Sequence, residues 1–99
     1  MFPPLQLWVR TPAETVLRAD GVRWVQAQLA DGGGIGIWPG HAPMLAETVT
    51  APLRYEDAHG EHSVTVSAGI LQVTPGQVRV YTSGTASDQA PEDEAKGAP

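Results

Sequence analysis

The sequence predicts an all-β fold, a sandwich or flattened barrel of about nine to ten short strands. Three observations predict it. Apolar and polar residues alternate with period two in one run after another. Turn signals rich in glycine, proline and aspartate recur about every eight positions. No segment keeps a helical period over about ten residues. A chain of 99 residues fits one domain with a small core. The fold is assigned to residues 1–84, and residues 85–99 to a short, disordered, acidic tail.

Leu5 to Arg10 alternates Leu5, Leu7 and Val9 against Gln6, Trp8 and Arg10, a strand with one buried face. Thr11-Pro12-Ala13 breaks it, and Glu14 to Arg18 alternates again. Asp20-Gly21 is a two-residue hairpin signal. Val22 and Val25 cannot share a face by plain alternation, so a bulge is expected there. The strand continues from Gln26 to Ala30 and turns at Asp31-Gly32. Ile35 and Ile37 share one face of the next strand, opposite Gly34 and Gly36. A face made of glycine implies that something packs flush against it.

Pro39 to Pro43 forms a rigid turn that displays Trp38 and His41. Met44 to Thr50 is extended, Pro52 interrupts, and Leu53 to Glu56 follows. A polar turn spans Asp57 to Gly60. Val64 and Val66 mark a strand from His62 to Ser67. Ala68-Gly69 breaks the run before Ile70 to Val73. Thr74-Pro75-Gly76 is a turn, and Gln77 to Tyr81 places Val78 and Val80 inward, Arg79 and Tyr81 outward. The fold is expected to end near Ser83. Thr85 to Pro99 has no aromatic residue and no aliphatic larger than alanine, so it cannot bury a face.

Composition excludes several functions. The net charge is −5. Asp88, Glu92, Asp93 and Glu94 face only Lys96 in the tail, and five arginines face seven acids before it. Neither part offers a basic face, so nucleic acid is not an expected partner. There is no cysteine, hence no disulfide and no thiolate metal site. No apolar run is long enough to span a membrane as a helix. The start, Met-Phe-Pro-Pro, lacks the pattern of a secretory signal, which makes the cytoplasm the expected compartment.

Motifs for chemistry are weak. The stretch from Gly32 to Gly36 is not followed by the lysine and helix of a phosphate-binding loop. His59-Gly-Glu-His62 offers three possible metal ligands on a hairpin tip, where a solvated turn is the simpler reading. His41 has no serine, cysteine or acid placed beside it by any nucleophile motif. Trp8, Trp24 and Trp38 leave open a free-standing sandwich module that binds carbohydrate or protein through exposed tryptophan.

Two segments carry a family resemblance. Gly36-Ile-Trp-Pro-Gly-His-Ala-Pro-Met-Leu45 resembles the Gly-Ile-Leu/Tyr-Pro-Gly-His-Ala-Pro-Leu-Leu segment of the epsilon subunit of F-type ATP synthases. Val66-Ser-Ala-Gly-Ile-Leu-Gln-Val-Thr-Pro-Gly-Gln-Val-Arg-Val80 is similar to its Ser-Gly-Gly-x-Leu-Glu-Val run, proline/glycine turn and Val-x-Val strand. The resemblance spans Leu5 to Ser83. It implies a sandwich of about ten strands in the rotor, a non-catalytic central-stalk subunit. Its implied partners are the gamma subunit and the c-ring, which it joins so that ion transport is coupled to ATP chemistry. No cofactor is implied, and contact with the membrane is only through the complex, on its cytoplasmic face.

Carried over by position, Pro39, Gly40, His41, Ala42, Pro43 and Met44 match a turn that lies against gamma. Ser67, Ala68, Gly69, Ile70 and Leu71 match a segment on the same side. Asp31, Gly32, Gly33, Gly34 and Ile35 match a loop that faces the c-ring. That loop often reads Gly-Glu-Leu-Gly-Ile; here Gly34 replaces the glutamate, and Asp31 supplies the nearest carboxylate. Family members commonly continue into a hairpin of two helices. Thr85 to Pro99 cannot form one, so neither hairpin-based inhibition nor ATP binding is expected of this chain.

Overall fold

A computed structural model describes residues 2–87 as ten strands in two five-stranded sheets. In chain order they are β1 (Leu5–Arg10), β2 (Thr15–Val22), β3 (Trp24–Gln28), β4 (Gly34–Ile37), β5 (Met44–Thr48), β6 (Ala51–Asp57), β7 (Gly60–Val66), β8 (Gly69–Thr74), β9 (Gln77–Thr82) and β10 (Thr85–Ser87). The first sheet has the order β2-β1-β9-β8-β5, the second β10-β7-β6-β3-β4. The all-β sandwich expected from the alternation is therefore the fold observed.

The core lies between the sheets. The first sheet contributes Leu5, Leu7, Val9, Leu71, Val73, Val78 and Val80, and the second Val25, Ile37, Leu53, Tyr55 and Val66. Leu5, Leu7, Val9, Val78 and Val80 are residues that the period-two pattern turned inward, and they are buried. Burying one such side chain contributes about 1.5–3 kcal/mol. Residues between them face outward, so each sheet also presents an outer face.

Four local expectations are corrected. Asp20-Gly21 is not a hairpin but a bulge inside β2. Leu5 pairs with Val22 and Leu7 with Ala19, so β2 carries one extra residue there. Gly21 sits in the left-handed region at φ 66°, the conformation that both devices need. Val22 and Val25 are both buried without a bulge between them. The chain instead crosses from the first sheet to the second at Arg23, and each valine points into the core from its own sheet.

Pro52 does not interrupt a strand. It lies within β6 opposite Thr65, and β3 pairs only with Arg54 to Glu56 of β6. The missing proline N–H is tolerated where that ladder does not reach. The fold also runs past Ser83. Thr85 to Ser87 pair with Val66 to Val64 of β7, a backbone ladder that needs no large side chain. The expectation for residues 88–99 lies outside the described residues.

Candidate functional site

The turn after β4 is built by its own sequence. The His41 N–H donates to the Trp38 carbonyl at 3.0 Å. Pro39 fixes the first central residue, and Gly40 takes φ 88° at the second, the requirement of a type II turn. A Cβ on Gly40 would come within 2.6 Å of the Phe2 ring. His41 Nδ1 lies 2.7 Å from the Ala42 carbonyl. A carbonyl only accepts, so in this contact Nδ1 is the donor. Phe2, Pro3, Pro43, Pro75 and His41 line an open groove of about 420 Å³ at this end.

The second segment, Ser67 to Leu71, is tied down at the other end of the same strand pair. Ser67 N–H donates to the Gly84 carbonyl, and Thr82 Oγ1 donates to the Ser67 carbonyl at 2.7 Å. The amides of Ala68 and Gly69 donate to the hydroxyls of Thr50 and Thr48. Gly69 lies so close to β9 that a Cβ would overlap the Tyr81 carbonyl oxygen. Ile70 faces outward, but Leu71 is 0% exposed. The side chain of Leu71 therefore belongs to the core and cannot touch a partner, which corrects the sequence-based assignment of that residue.

The two segments do not meet at one end. β5 and β8 are antiparallel, with Met44 opposite Val73 and Thr48 opposite Gly69. The ribbon thus carries the proline turn at one end and Ser67–Gly69 at the other. Its outer side joins them into one surface. Leu45 is 69% exposed there, beside Gln72, with Glu47 beside Ile70. The surface continues across the whole first sheet. Tyr81 lies next to Ile70 and Arg79 next to Gln72. The parallel pairing of β1 with β9 sets Trp8 beside Arg79 and Arg10 beside Tyr81, and Arg18 of β2 follows Trp8.

This outer face is ordered by its own polar groups. The guanidinium carbons of Arg10 and Arg18 lie 4.8 and 4.7 Å from the Trp8 ring centroid. Arg79 donates to Gln77, Gln77 to Gln6, and Gln6 to Asp20. Asp20 also lies 3.8 Å from Arg18. Trp8 Nε1 and Arg10 Nε are buried without a partner among the described residues. The outward register of Trp8, Arg10, Arg79 and Tyr81 was legible in the sequence. Their assembly into one face was not, because it depends on the parallel β1–β9 pairing.

Asp31 to Gly33 form a separate loop at the Ser67 end, and Gly34 and Ile35 already belong to β4, paired with Gln28 and Ala27. Leu29 N–H donates to Gly33 O, Gly32 N–H to Leu29 O, and Gly33 N–H to Asp31 Oδ1 at 2.8 Å. The Asp31 carboxylate is thus used within its own loop. Asp31 to Gly34 are exposed, while Ile35 packs against the core. Ala30 N–H donates to the Glu47 carbonyl, which ties this loop to the free side of β5.

The remaining candidates are satisfied locally. His62 Nε2 lies 2.9 Å from Asp57 Oδ1, and its ring stacks on Tyr55 at 4.9 Å between centroids. The hydrogen bond from His62, together with the His59 amide, holds the Asp57 carboxyl below its ordinary range. Burial, with the Asp57 charge, pushes the Tyr55 hydroxyl up. No group of three metal-ligating side chains occurs among the described residues. Trp24 Nε1 donates to Glu56 at 3.0 Å. The Trp38 ring, 54% exposed as a residue, lies over Gly36, which accounts for that glycine, while a Cβ on Gly34 would meet the Gln28 side chain instead.

Comparison with known proteins places this architecture. The family described as ATP synthase, Delta/Epsilon chain, beta-sandwich domain matches residues 4–87. The ATP synthase epsilon chain of Bacillus pumilus (strain SAFR-032) is 34% identical over 95 residues, covering 95% of this chain and 71% of that protein. Among solved structures, the mitochondrial ATP synthase of Euglena gracilis (OSCP/F1/c-ring) contains a chain similar at TM-score 0.81 and 19% identity. That match covers 93% of this chain and 58% of the other. The central stalk/c-ring structure of Tetrahymena thermophila mitochondrial ATP synthase contains one similar at TM-score 0.69 and 16% identity, covering 94% and 75%. These two share the fold. A family match over nearly all of the described residues, with an epsilon chain 34% identical along almost the whole sequence, makes this chain a member of the ATP synthase delta/epsilon family.

Proposed function

We propose that the chain is the non-catalytic rotor subunit that joins gamma to the c-ring of an ion-translocating ATP synthase. In this account gamma docks on the outer face of the first sheet and on the turn Pro39 to Met44. Ser67 to Ile70 close the far end of that surface, and the exposed loop Asp31 to Gly34 faces the c-ring. The chain is then peripheral on the cytoplasmic side of the membrane, held there through the complex, and neither binds ATP nor needs a cofactor. One observation carries the proposal: the exposed Leu45 lies between the proline turn and Ser67, on a sheet face continuous with Ile70 and Tyr81. A contiguous outward apolar strip is what a docking partner covers.

The test is co-purification with the gamma subunit of the same organism. The wild-type pair should elute as one complex on gel filtration. Leu45→Asp and His41→Asp should each weaken it, while Gln26→Asp, on the other sheet's outer face, should not. A chain that stays alone with its own gamma subunit would overturn the proposal.

A further inference from the structure

The two outer faces of the sandwich differ in charge, and the difference specifies the partner's chemistry. The first sheet presents Arg10, Arg18 and Arg79 against Asp20 and Glu47. The second presents Arg54 against Glu56 and Glu61. Three of the chain's five arginines therefore converge on one face of a protein whose net charge is −5.

Those arginines are held but not neutralised. Arg10 and Arg18 are held against the Trp8 ring, and Arg79 is held by Gln77 at the end of a relay that reaches Asp20 through Gln6. Among the described residues neither Arg10 nor Arg79 has an ion pair, and the Arg18–Asp20 contact is long and solvent-exposed. Arg10 Nε and Trp8 Nε1 are buried with no acceptor among the described residues, and the carboxylates that the described strands set on this face are Asp20, already accepting from Gln6, and Glu47 at the far strand.

We infer that this face is a receptor for carboxylates: the gamma subunit docks here with a cluster of Asp or Glu side chains set against Arg10, Arg18 and Arg79. This rests on gamma docking as proposed above, and adds what gamma must present. A guanidinium fixed in place loses little freedom when a carboxylate pairs with it bidentately. Stacking on Trp8 occupies the face of each guanidinium; Arg10 Nε is buried, so a partner carboxylate reaches Arg10 through its terminal nitrogens. The apolar strip of Leu45, Ile70 and Tyr81 supplies area, and the arginines supply orientation and a fast encounter.

The test measures gamma binding to the full chain at rising salt, using Arg10→Gln, Arg79→Gln and Arg79→Glu. The association rate for wild type should fall about tenfold between about 0.05 and 0.5 M NaCl. Each glutamine variant should bind about tenfold more weakly with a shallower salt dependence, and Arg79→Glu more weakly still. Arg54→Glu, on the opposite face, should bind as wild type. Unchanged thermal unfolding of the glutamine variants shows that the effect is on binding. Salt-insensitive binding with all arginine variants within about twofold of wild type would overturn the carboxylate receptor and leave gamma docking standing. No binding of gamma to the wild-type chain would overturn gamma docking itself. Vesicles of phosphatidylglycerol serve as the competing anion. Tight vesicle binding that the arginine variants abolish, with gamma binding unchanged, would assign the face to a lipid surface and overturn the inference.

Discussion

Trp8 and Trp24 occupy equivalent places on opposite faces. Each stands outward from a strand, partly buried among polar neighbours. Trp24 donates its indole N–H to Glu56 on the adjacent strand at 3.0 Å. Trp8 lies against two guanidinium groups and its N–H has no acceptor among the described residues. On the second sheet's outer face Trp24 is satisfied by Glu56, while Arg54 and Glu61 make an exposed contact at 3.6 Å, similar to that of Arg18 and Asp20. The first sheet's outer face is ordered but left with donors and an apolar strip to spare. The difference between the faces lies in the indole donors and in the charge: Trp24 has its acceptor, and the arginines gather around Trp8.

The comparison can be broken at its scaffold. Gly69→Val puts side-chain atoms into the Tyr81 carbonyl where β8 meets β9. Backbone cannot yield there, so a loss of more than about 4 kcal/mol is expected. Thermal unfolding should show a collapse in midpoint, and gamma binding should vanish with it. Gly60→Val makes a useful contrast: space is open around Gly60, but its φ of 110° penalises any side chain, so the cost should be smaller and gamma binding should persist.

The indole difference gives the next effect. Trp24→Phe removes a satisfied donor and strands the Glu56 acceptor, costing about 1 kcal/mol, or about 4–8 °C in a domain of this size. Trp8→Phe removes a buried donor that had no partner, and that relief offsets part of the lost ring contact. Its midpoint should fall less than that of Trp24→Phe. The opposite order, by calorimetry, would break the comparison.

Two smaller effects sharpen it. Gly36→Ala should displace the Trp38 ring, which is half exposed and free to swing outward. Tryptophan emission should shift to the red with little loss of stability. Asp57→Asn tests the hairpin that closes the second sheet. The pKa of Asp57 is depressed in the fold, first by His62 and then by the His59 amide. Its stabilisation is therefore present above the ordinary Asp value near 3.8 and fades as pH falls through the lower folded pKa. The variant should show a flatter acid limb in a plot of unfolding midpoint against pH.

Most of the fold was legible because strand faces obey a period of two. Leu5, Leu7, Val9, Val78 and Val80 were placed inward by alternation and are buried. The failures share one cause: short-range signals do not state which strands pair. Asp20-Gly21 supplies a left-handed glycine whether the chain turns back or bulges. Val22 and Val25 fit a bulge or a change of sheet equally well. Pro52 breaks a strand only where its N–H is needed. The same limit applied to the candidate surface. Pro39 to Pro43 reads as a rigid turn from its own residues, and the structure draws it as one. The face that joins it to Ser67 needs β1 beside β9, a pairing between residues about 70 positions apart. Leu71 shows the converse error, since a segment can lie at a surface while alternation sends every second side chain to the core.

The central claim is that the first sheet's outer face receives gamma and the second's does not. The indole N–H resonances of Trp8 and Trp24 report on the two faces separately. Titrating gamma into the ¹⁵N-labelled chain should shift or broaden the Trp8 indole signal at substoichiometric ratios while the Trp24 signal stays within its line width. Movement of Trp24 with Trp8 unmoved would place the partner on the opposite face and contradict the account.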